Sequence, residues 1–268
     1  MIFWISGASS GLGYYTALAA VRAGHTVVAG ARSFSEGEKD GMFTCPLDVT
    51  HEESIAHFVE YASRTAGDAD VLIHCAGILV LGSTEDTSIE EYTRVMDTDF
   101  LGMVRLNQAV LPRMRTRRQG KIIMFSSING LLGIPFQSAY TAAKHAVEGY
   151  AECLEMETHA FGIQVCLIEP GDHRSGSQRC RLHASVSDAS PYQQMAVKGT
   201  KKIHHDEENG SDPAKLGQKV IRIAGRKRLP MRKRIASPDQ HLAVVLHDIL
   251  PGWMNSLILR SYYLGNSR

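Results

Sequence analysis

Five apolar runs recur along the first two-thirds of the chain: "MIFWIS" (1–6), "HTVVAG" (25–30), "DVLIHCAG" (70–77), "GKIIMFSS" (120–127) and "IQVCLIEP" (163–170). Each ends at Gly, Ser or Pro, and continuous apolar runs of this length predict buried strands. Between them, residues 14–24, 52–63, 100–114 and 139–162 carry apolar positions at helical spacing. Gly24 and Gly162 stand where helices should stop. Strand–helix alternation predicts an α/β fold, a doubly wound parallel sheet with helices on both faces.

The last third breaks this rhythm. Residues 172–212 are polar, with few apolar positions and the charged stretch "KKIHHDEEN", which predicts a lid or mobile loop. A helix is expected at 212–224, capped by Ser211 or Asp212 with Pro213 in its first turn. "LPMRKRIAS" predicts one more strand, and "SPDQHLAVVLHDIL" a helix capped at Ser237. In the C-terminal segment, 251–268, Trp253, Met254, Leu257 and Ile258 recur at helical spacing. That apolar face is expected to pack on the core or cover a cleft, with weak peripheral membrane contact as the alternative. No repeat or linker divides the chain, so residues 1–268 are expected to form a single domain.

Composition narrows the partners. The chain has 268 residues and a formal net charge of +1, so no global field draws it to nucleic acid or anionic membrane. The basic run "GRKRLPMRKR" (225–234) is better read as an exposed sheet edge than as a nucleic-acid patch. The five cysteines (45, 75, 153, 166, 180) are odd in number and show no CxxC spacing, which fits free thiols in a reducing compartment. No apolar run approaches a membrane span, and "MIFWISGASSG" lacks the basic start of a secretory segment; the cytoplasm is expected. The twelve histidines show no metal-ligand spacing, so no metal is expected, and His204 and His205 read as solvated.

Two stretches carry candidate chemistry. After the first strand comes "SGASSGLG", with Gly7, Gly11 and Gly13 around Ser9, Ser10 and Leu12. A strand entering a helix through such a turn aims backbone N–H groups at a pyrophosphate, with no Cβ in the way. An ordinary tight turn is the plainer alternative, but the place at the first strand of an alternating pattern is the context that cofactor binding requires. The second stretch is "SAYTAAK" (138–144), which sets Tyr140 and Lys144 about one helical turn apart on one face.

The Gly-xxx-Gly-x-Gly spacing together with this pair resembles the short-chain dehydrogenase/reductase family, in its compact single-domain branch. "DVLIHCAG", "GKIIMFSSING" and "IEPGDHRS" resemble its later motifs in order, so the likeness covers nearly the whole chain. The resemblance implies a Rossmann-like fold, a nicotinamide dinucleotide, and interconversion of an alcohol and a ketone. It assigns Ser127 to the substrate oxygen, Ala76, Gly77, Pro170, Gly171 and Ser175 to the cofactor, and Asp48 and Val49 to its adenine side. Ala31 stands where NAD users of the family carry an acid, and Arg32 follows, which favours NADP(H) over NAD(H). Homodimers or homotetramers paired through the fourth and fifth helices are implied, as is similarity of the C-terminal segment to hydroxysteroid and retinol dehydrogenases. A bulky apolar substrate such as a hydroxysteroid follows from that likeness.

The chemistry expected is acid–base. Free tyrosine ionises near pH 10. An ammonium about 4 Å away favours phenolate by roughly 4 kcal/mol, or about three pK units, at an effective dielectric near 20. Tyr140 is therefore expected to be lowered by Lys144 and to act as acid and base. Taken singly, Ser127 could be a strand-end cap and Lys144 a solvated helix charge. Two departures from the family stand out: Asp99 replaces its usual asparagine, and His74 and Cys75 replace two more. Asp99 should favour the lysine cation, while His74 and Cys75 are expected to be packed strand-end residues. His173 and Arg174 are expected to be loop-solvated, with substrate contact the alternative. These departures also motivate a rival: a regulatory dinucleotide-binding protein that has lost turnover.

Overall fold

The computed structural model describes residues 1–176, 181–184 and 190–265, and all five apolar runs form strands in it. The first half contains β1 (Ile2–Ser6), α1 (Gly11–Arg22), β2 (Thr26–Ala31), β3 (Gly37–Lys39), β4 (Met42–Pro46), α2 (Glu52–Ala66), β5 (Val71–His74), β6 (Val80–Leu81), α3 (Ile89–Met96) and α4 (Gly102–Arg117). The second contains β7 (Gly120–Phe125), α5 (Ser138–Thr158), β8 (Ile163–Pro170), β9 (Leu182–His183), α6 (Gln193–Glu208), α7 (Pro213–Ala224), β10 (Arg232–Ile235), α8 (Pro238–Ile249) and α9 (Gly252–Leu264). Cys180 lies outside the described residues, as do parts of the 172–212 segment and the last three residues.

Eight strands make one sheet in the order β10-β8-β7-β5-β1-β2-β4-β3, parallel throughout except for the β3–β4 pair. Period-two alternation divides its side chains. Phe3 and Ile5 of β1 point with Val71 and Ile73 of β5 into a layer roofed by α1 and α7. Trp4 and Leu72 point the other way, into a layer roofed by α2, α4 and α5. Burial on both faces explains why these strands read as unbroken apolar runs. Gly24 and Gly162 follow their helices with φ of +76° and +71°, a region that glycine enters without strain. Asp212, not Ser211, caps α7, its Oδ1 accepting from the Ala214 N–H at 2.9 Å. Ser237 and Gln240 form a capping box on α8.

Several elements depart from expectation. The β3–β4 hairpin turns on Asp40 and Gly41, both with positive φ. Helix α3 starts from a capping box between Ser88 and Glu91. The polar stretch within 172–212 is not all loop, because it contains the 16-residue α6. Ile203 buries one side of that helix, Gly199 packs bare against the Phe136 ring, and Lys202 pairs with Asp206 at 2.7 Å. In α9 the expected apolar face is not the packed one: Trp253, Leu257 and Ile258 are exposed. Leu259 and Tyr263 pack inward instead, and the Asn255 amide donates to the final carbonyls of α8, His247 O and Leu250 O. Among the described residues no helix is long and apolar enough to cross a membrane.

The basic run does form an edge strand, β10, paired with β8. Its arginines neutralise carboxylates of the fold. Arg232 Nε donates to Glu148 Oε2 at 2.9 Å and Nη2 to Glu152 Oε1 at 2.5 Å, while Arg234 Nε lies 3.4 Å from Glu169 Oε2. Glu148 and Glu169 are buried, so removing Arg232 leaves charge uncompensated in the interior. We expect Arg232→Met to lower the unfolding free energy by about 2–3 kcal/mol at neutral pH in urea titrations. An unchanged midpoint would show that the network is only surface decoration.

Candidate active site

Strand order reverses at β1, with β2 on one side and β5 on the other, and a cleft opens beyond the carboxyl ends of these strands. It offers about 560 Å³ of accessible space. Every residue nominated from sequence for catalysis or cofactor binding lines it.

The turn after β1 forms one wall. Gly7 has φ +72°, and a Cβ there would stand 2.4 Å from Ala76 N. A Cβ on Gly13 would stand 2.3 Å from Gly7 O. Both glycines are therefore required for the turn to close against β5. Ser9, Ser10, Gly11 and Leu12 complete this wall. Ser10 occupies the N-cap of α1 but makes no side-chain cap bond, so the first N–H groups of the helix stay open to a ligand. A pyrophosphate fits this cradle. Ser175 flanks it, 3.9 Å from where a Gly11 Cβ would be.

Beyond β2, Ala31 is buried and Arg32 is exposed on the rim, with no carboxylate in the place of Ala31. Burial raises the Asp48 carboxyl, but hydrogen bonds from Thr50 and the charges of His51 and Arg32 outweigh it and hold the group below its ordinary value. Val49 packs beside it, where Gly102 leaves it room. On the opposite wall, Ala76 and Gly77 leave β5, and a Cβ on Gly77 would meet Asp99 Oδ2 at 2.9 Å. Pro170 and Gly171 close the end of β8.

Lys144 is the centre of the proton machinery. It is 4% exposed; its Nζ donates to Phe125 O at 3.0 Å and lies 3.3 Å from Asp99 Oδ2. Asp99 sits in a π-helical turn, Asp97–Leu101, between α3 and α4, fully buried, its Oδ1 accepting from Ile78 N–H at 2.7 Å. Burial pulls the lysine down, yet Tyr140 and Asp99 carry it above its ordinary value, so the amine stays cationic. Lys144 Nζ is 5.2 Å from the centre of the Tyr140 ring. The Ser127 Oγ caps the turn after β7 by accepting from Asn129 N–H at 3.2 Å, and it also bonds the Tyr140 phenol. Strand-end capping and a place beside the phenol are thus both real for Ser127.

The direction expected for Tyr140 is corrected. Its proton affinity is raised, first by burial and then by Asp99 and Glu207, against the opposing pulls of Lys144 and Ser127. Lys144 exerts the strongest of the charge effects on the phenol and favours the phenolate, but burial outweighs it. The raised proton affinity keeps the proton on the Tyr140 phenol at neutral pH.

His74 and Cys75 are packed, as expected. His74 Nε2 meets Asn107 Oδ1 at 2.8 Å, which fixes the proton on Nε2; Nδ1 has no hydrogen-bond partner. Burial lowers this imidazole to about 4 and raises the Cys75 thiol. Cys45, Cys75, Cys153 and Cys166 are free, and no metal-binding cluster is present among the described residues. Arg174 is exposed, but His173 is not loop-solvated: it is buried, with Nδ1 2.8 Å from Gly171 O. Residues not nominated from sequence complete the cleft. Asp172, Arg181, Asp206 and Glu207 bring charge, and Ile134, Ile203 and Tyr263 bring apolar surface. The inward Ile203 and the i,i+4 Lys202–Asp206 pair were the available signals for α6.

A family model described as "short chain dehydrogenase" matches residues 2–182. A 3-ketodihydrosphingosine reductase of Bacteroides thetaiotaomicron is 39% identical over 264 residues, covering 98% of this chain and 97% of that protein. Retinol dehydrogenase 8 of Bos taurus is 32% identical over 86% of this chain and 80% of its own. Among solved structures, a short-chain dehydrogenase from Streptomyces avermitilis superposes with a TM-score of 0.80 at 29% identity, covering 97% of this chain and 94% of its own.

His74 generates a pH prediction. The unfolded chain takes up this proton near pH 6.5, while the folded protein resists until about 4. Its contribution is therefore complete above pH 6.5 and falls as pH drops from there towards 4, by up to about 3 kcal/mol. His74→Asn, which cannot titrate, should flatten that limb in urea melts run from pH 7 to 4. Parallel limbs in the two proteins would remove His74 as the cause.

Proposed function

The chain belongs to the short-chain dehydrogenase family, and on that premise we propose that it is an NADP(H)-dependent reductase of a long-chain ketone, with Tyr140 as proton donor. The observation that carries the reading is the convergence of Ser127, Tyr140 and Lys144 opposite the glycine cradle in one cleft. A bound nicotinamide supplies hydride there; the protein supplies the proton and holds the oxygen. Tyr140, with its raised proton affinity, would deliver its proton to the carbonyl oxygen as hydride arrives. Ser127 donates to the substrate oxygen, and Lys144 holds Tyr140 in place and, kept cationic by Asp99, offsets developing phenolate charge. Gly7–Gly13 would hold the pyrophosphate of the cofactor, Ala76, Gly77, Pro170, Gly171 and Ser175 would contact its nicotinamide half, and Asp48 and Val49 its adenine. Arg32, without a competing carboxylate at position 31, pairs with a 2′-phosphate and supports NADP(H) over NAD(H).

For the substrate, we favour a 3-keto sphingoid base over a hydroxysteroid. Support comes from the name of the relative that matches 98% of the chain, and from a cleft that joins apolar Ile134, Ile203 and Tyr263 to a charged corner. The conserved chemistry of the family and the intact Ser127–Tyr140–Lys144 set leave the regulatory alternative without support.

With NADPH and 3-ketodihydrosphingosine in detergent, absorbance at the reduced nicotinamide band should fall with time. Tyr140→Phe should lower kcat about 10²- to 10⁴-fold while keeping NADPH affinity, measured by fluorescence. Normal turnover by that variant ends the assignment. Separately, Arg32→Ala should raise the KM for NADPH about 10- to 100-fold and leave that for NADH nearly unchanged. Equal effects on both cofactors would remove Arg32 as the reader of the phosphate.

A further inference from the structure

We infer that Glu207, with Asp172 and Asp206 behind it and Arg181 beside it, forms a head-group clamp that accepts an ammonium next to the reacting carbonyl. This rests on the ketone-reductase reading above and assigns the residues that would select an amino ketone over a plain one.

Charge balance is the first argument. Asp172, Asp206 and Glu207 all line the cleft. Arg181 Nη2 donates to Glu207 Oε1, and Lys202 Nζ to Asp206 Oδ1 at 2.7 Å. The other two contacts are neutral: Tyr262 OH donates to Asp206 Oδ2 at 3.0 Å, and Gln240 Nε2 to Asp172 Oδ2 at 2.5 Å. Among the described residues, Arg181 and Lys202 pair with Glu207 and Asp206, and Asp172 has no cationic partner. The strain of that arrangement falls on Asp172, pushed up to about 7 by burial and by the charges of Glu207 and Asp206.

Unmet hydrogen bonding is the second, independent argument. The Arg181 side chain is 2% exposed, yet among the described residues its Nε and Nη1 have no acceptor. Glu207 Oε2 is buried and, among the described residues, has no donor. Buried charged groups rarely leave such capacity unused unless a ligand or water takes it up. An ammonium would satisfy the carboxylate oxygen, and a neighbouring hydroxyl the free guanidinium N–H groups. A 2-amino-1-hydroxy-3-ketone carries both, adjacent to its carbonyl.

Position relative to the chemistry is the third. The charge of Glu207 raises the proton affinity of Tyr140, so the carboxylate lies within electrostatic reach of the phenol. Both residues line the same cleft, so a cation one carbon from a carbonyl at Tyr140 would enter the region that Glu207 charges. The groups that bear on the phenol are Lys144 from α5, Asp99 from the π-helical turn, Ser127 from the end of β7 and Glu207 from α6. Asp99 is taken up by Lys144 beneath the phenol, while Glu207, bound to Arg181 through Oε1, stands with Asp172 and Asp206 in the charged corner of the cleft. Ile134, Ile203 and Tyr263 offer apolar surface for an alkyl chain alongside.

The test compares 3-ketodihydrosphingosine with its deaminated analogue, the 1-hydroxy-3-ketone of equal chain length, both in detergent with NADPH. Wild-type kcat/KM should favour the amino ketone about 10- to 100-fold, and Glu207→Gln should erase that preference, chiefly by raising the KM of the amino ketone. Because Glu207→Gln could disturb Arg181, a measurement on the unaltered protein runs in parallel: dodecylamine should inhibit competitively with ketone at least about 10-fold more tightly than dodecanol. Equal use of both ketones, or equal inhibition by amine and alcohol, overturns the clamp and leaves ketone reduction standing. No NADPH oxidation with either ketone, by folded protein that binds NADPH, overturns the proposed function instead.

Discussion

A lysine ammonium taken out of water must find fixed partners, and in this fold that demand falls on Lys144. Its partners come from separate parts of the chain: the Phe125 carbonyl from the end of β7, Asp99 from the turn between α3 and α4, and Tyr140 from its own helix. Asp99 is itself held by Ile78 N–H, and it fits only because Gly77 has no side chain. One buried charge therefore ties together the ends of β5 and β7, the π-helical turn and α5. The turn is the local deviation from regular helix that lets a carboxylate point inward at that height. Loosening any partner would leave a charge unpaired in the interior, so the catalytic geometry and the integrity of this end of the sheet depend on the same contacts.

The second constraint is backbone proximity at the reversal of strand order. Gly7 and Ala8 both donate to Gly30 O, at 2.8 and 3.2 Å, in line with the Ser6–Gly30 register of β1 and β2. This pulls the turn towards β2 while Gly7 also lies against Ala76 at the end of β5. The space between the diverging loops is the cleft. Two buried layers hold the sheet rigid beneath it, so the loops inherit their spacing from strand register.

Much of this was legible in the sequence because it depends on short-range pattern. The five apolar runs, the glycine turn, the Tyr140–Lys144 spacing and the Asp212 and Ser237 helix starts are each set within a few residues. The features that escaped are of two kinds. Some carried a local signal that went unused: Asp40-Gly41 is a hairpin dipeptide, and Ser88 with Glu91 has the spacing of a capping box. Others had little local signal. Helix α6 presents mostly polar residues and is fixed by contacts with Phe136 and α9, which lie far away in sequence. The sign of the Tyr140 shift belongs to this second kind. A lysine one turn away is visible in "YTAAK", but the burial that outweighs it is a product of the whole cleft, and the carboxylates that add to it come from residues 99 and 207.

That reversal of sign links the cleft's charges to one another. Burial is the main influence that holds the proton on the phenol; Lys144 pulls against it, and Asp99 and then Glu207 add to it. A proton donor must also let go. A cation seated against Glu207 would offset that carboxylate's share and ease the phenol's hold as the carbonyl arrives beside it. The feature that selects an amino ketone would then also prepare the donor, and an apolar ketone of similar length would meet a more reluctant acid. Selection and proton transfer would share one carboxylate because Glu207 both lines the head-group corner and bears on the phenol.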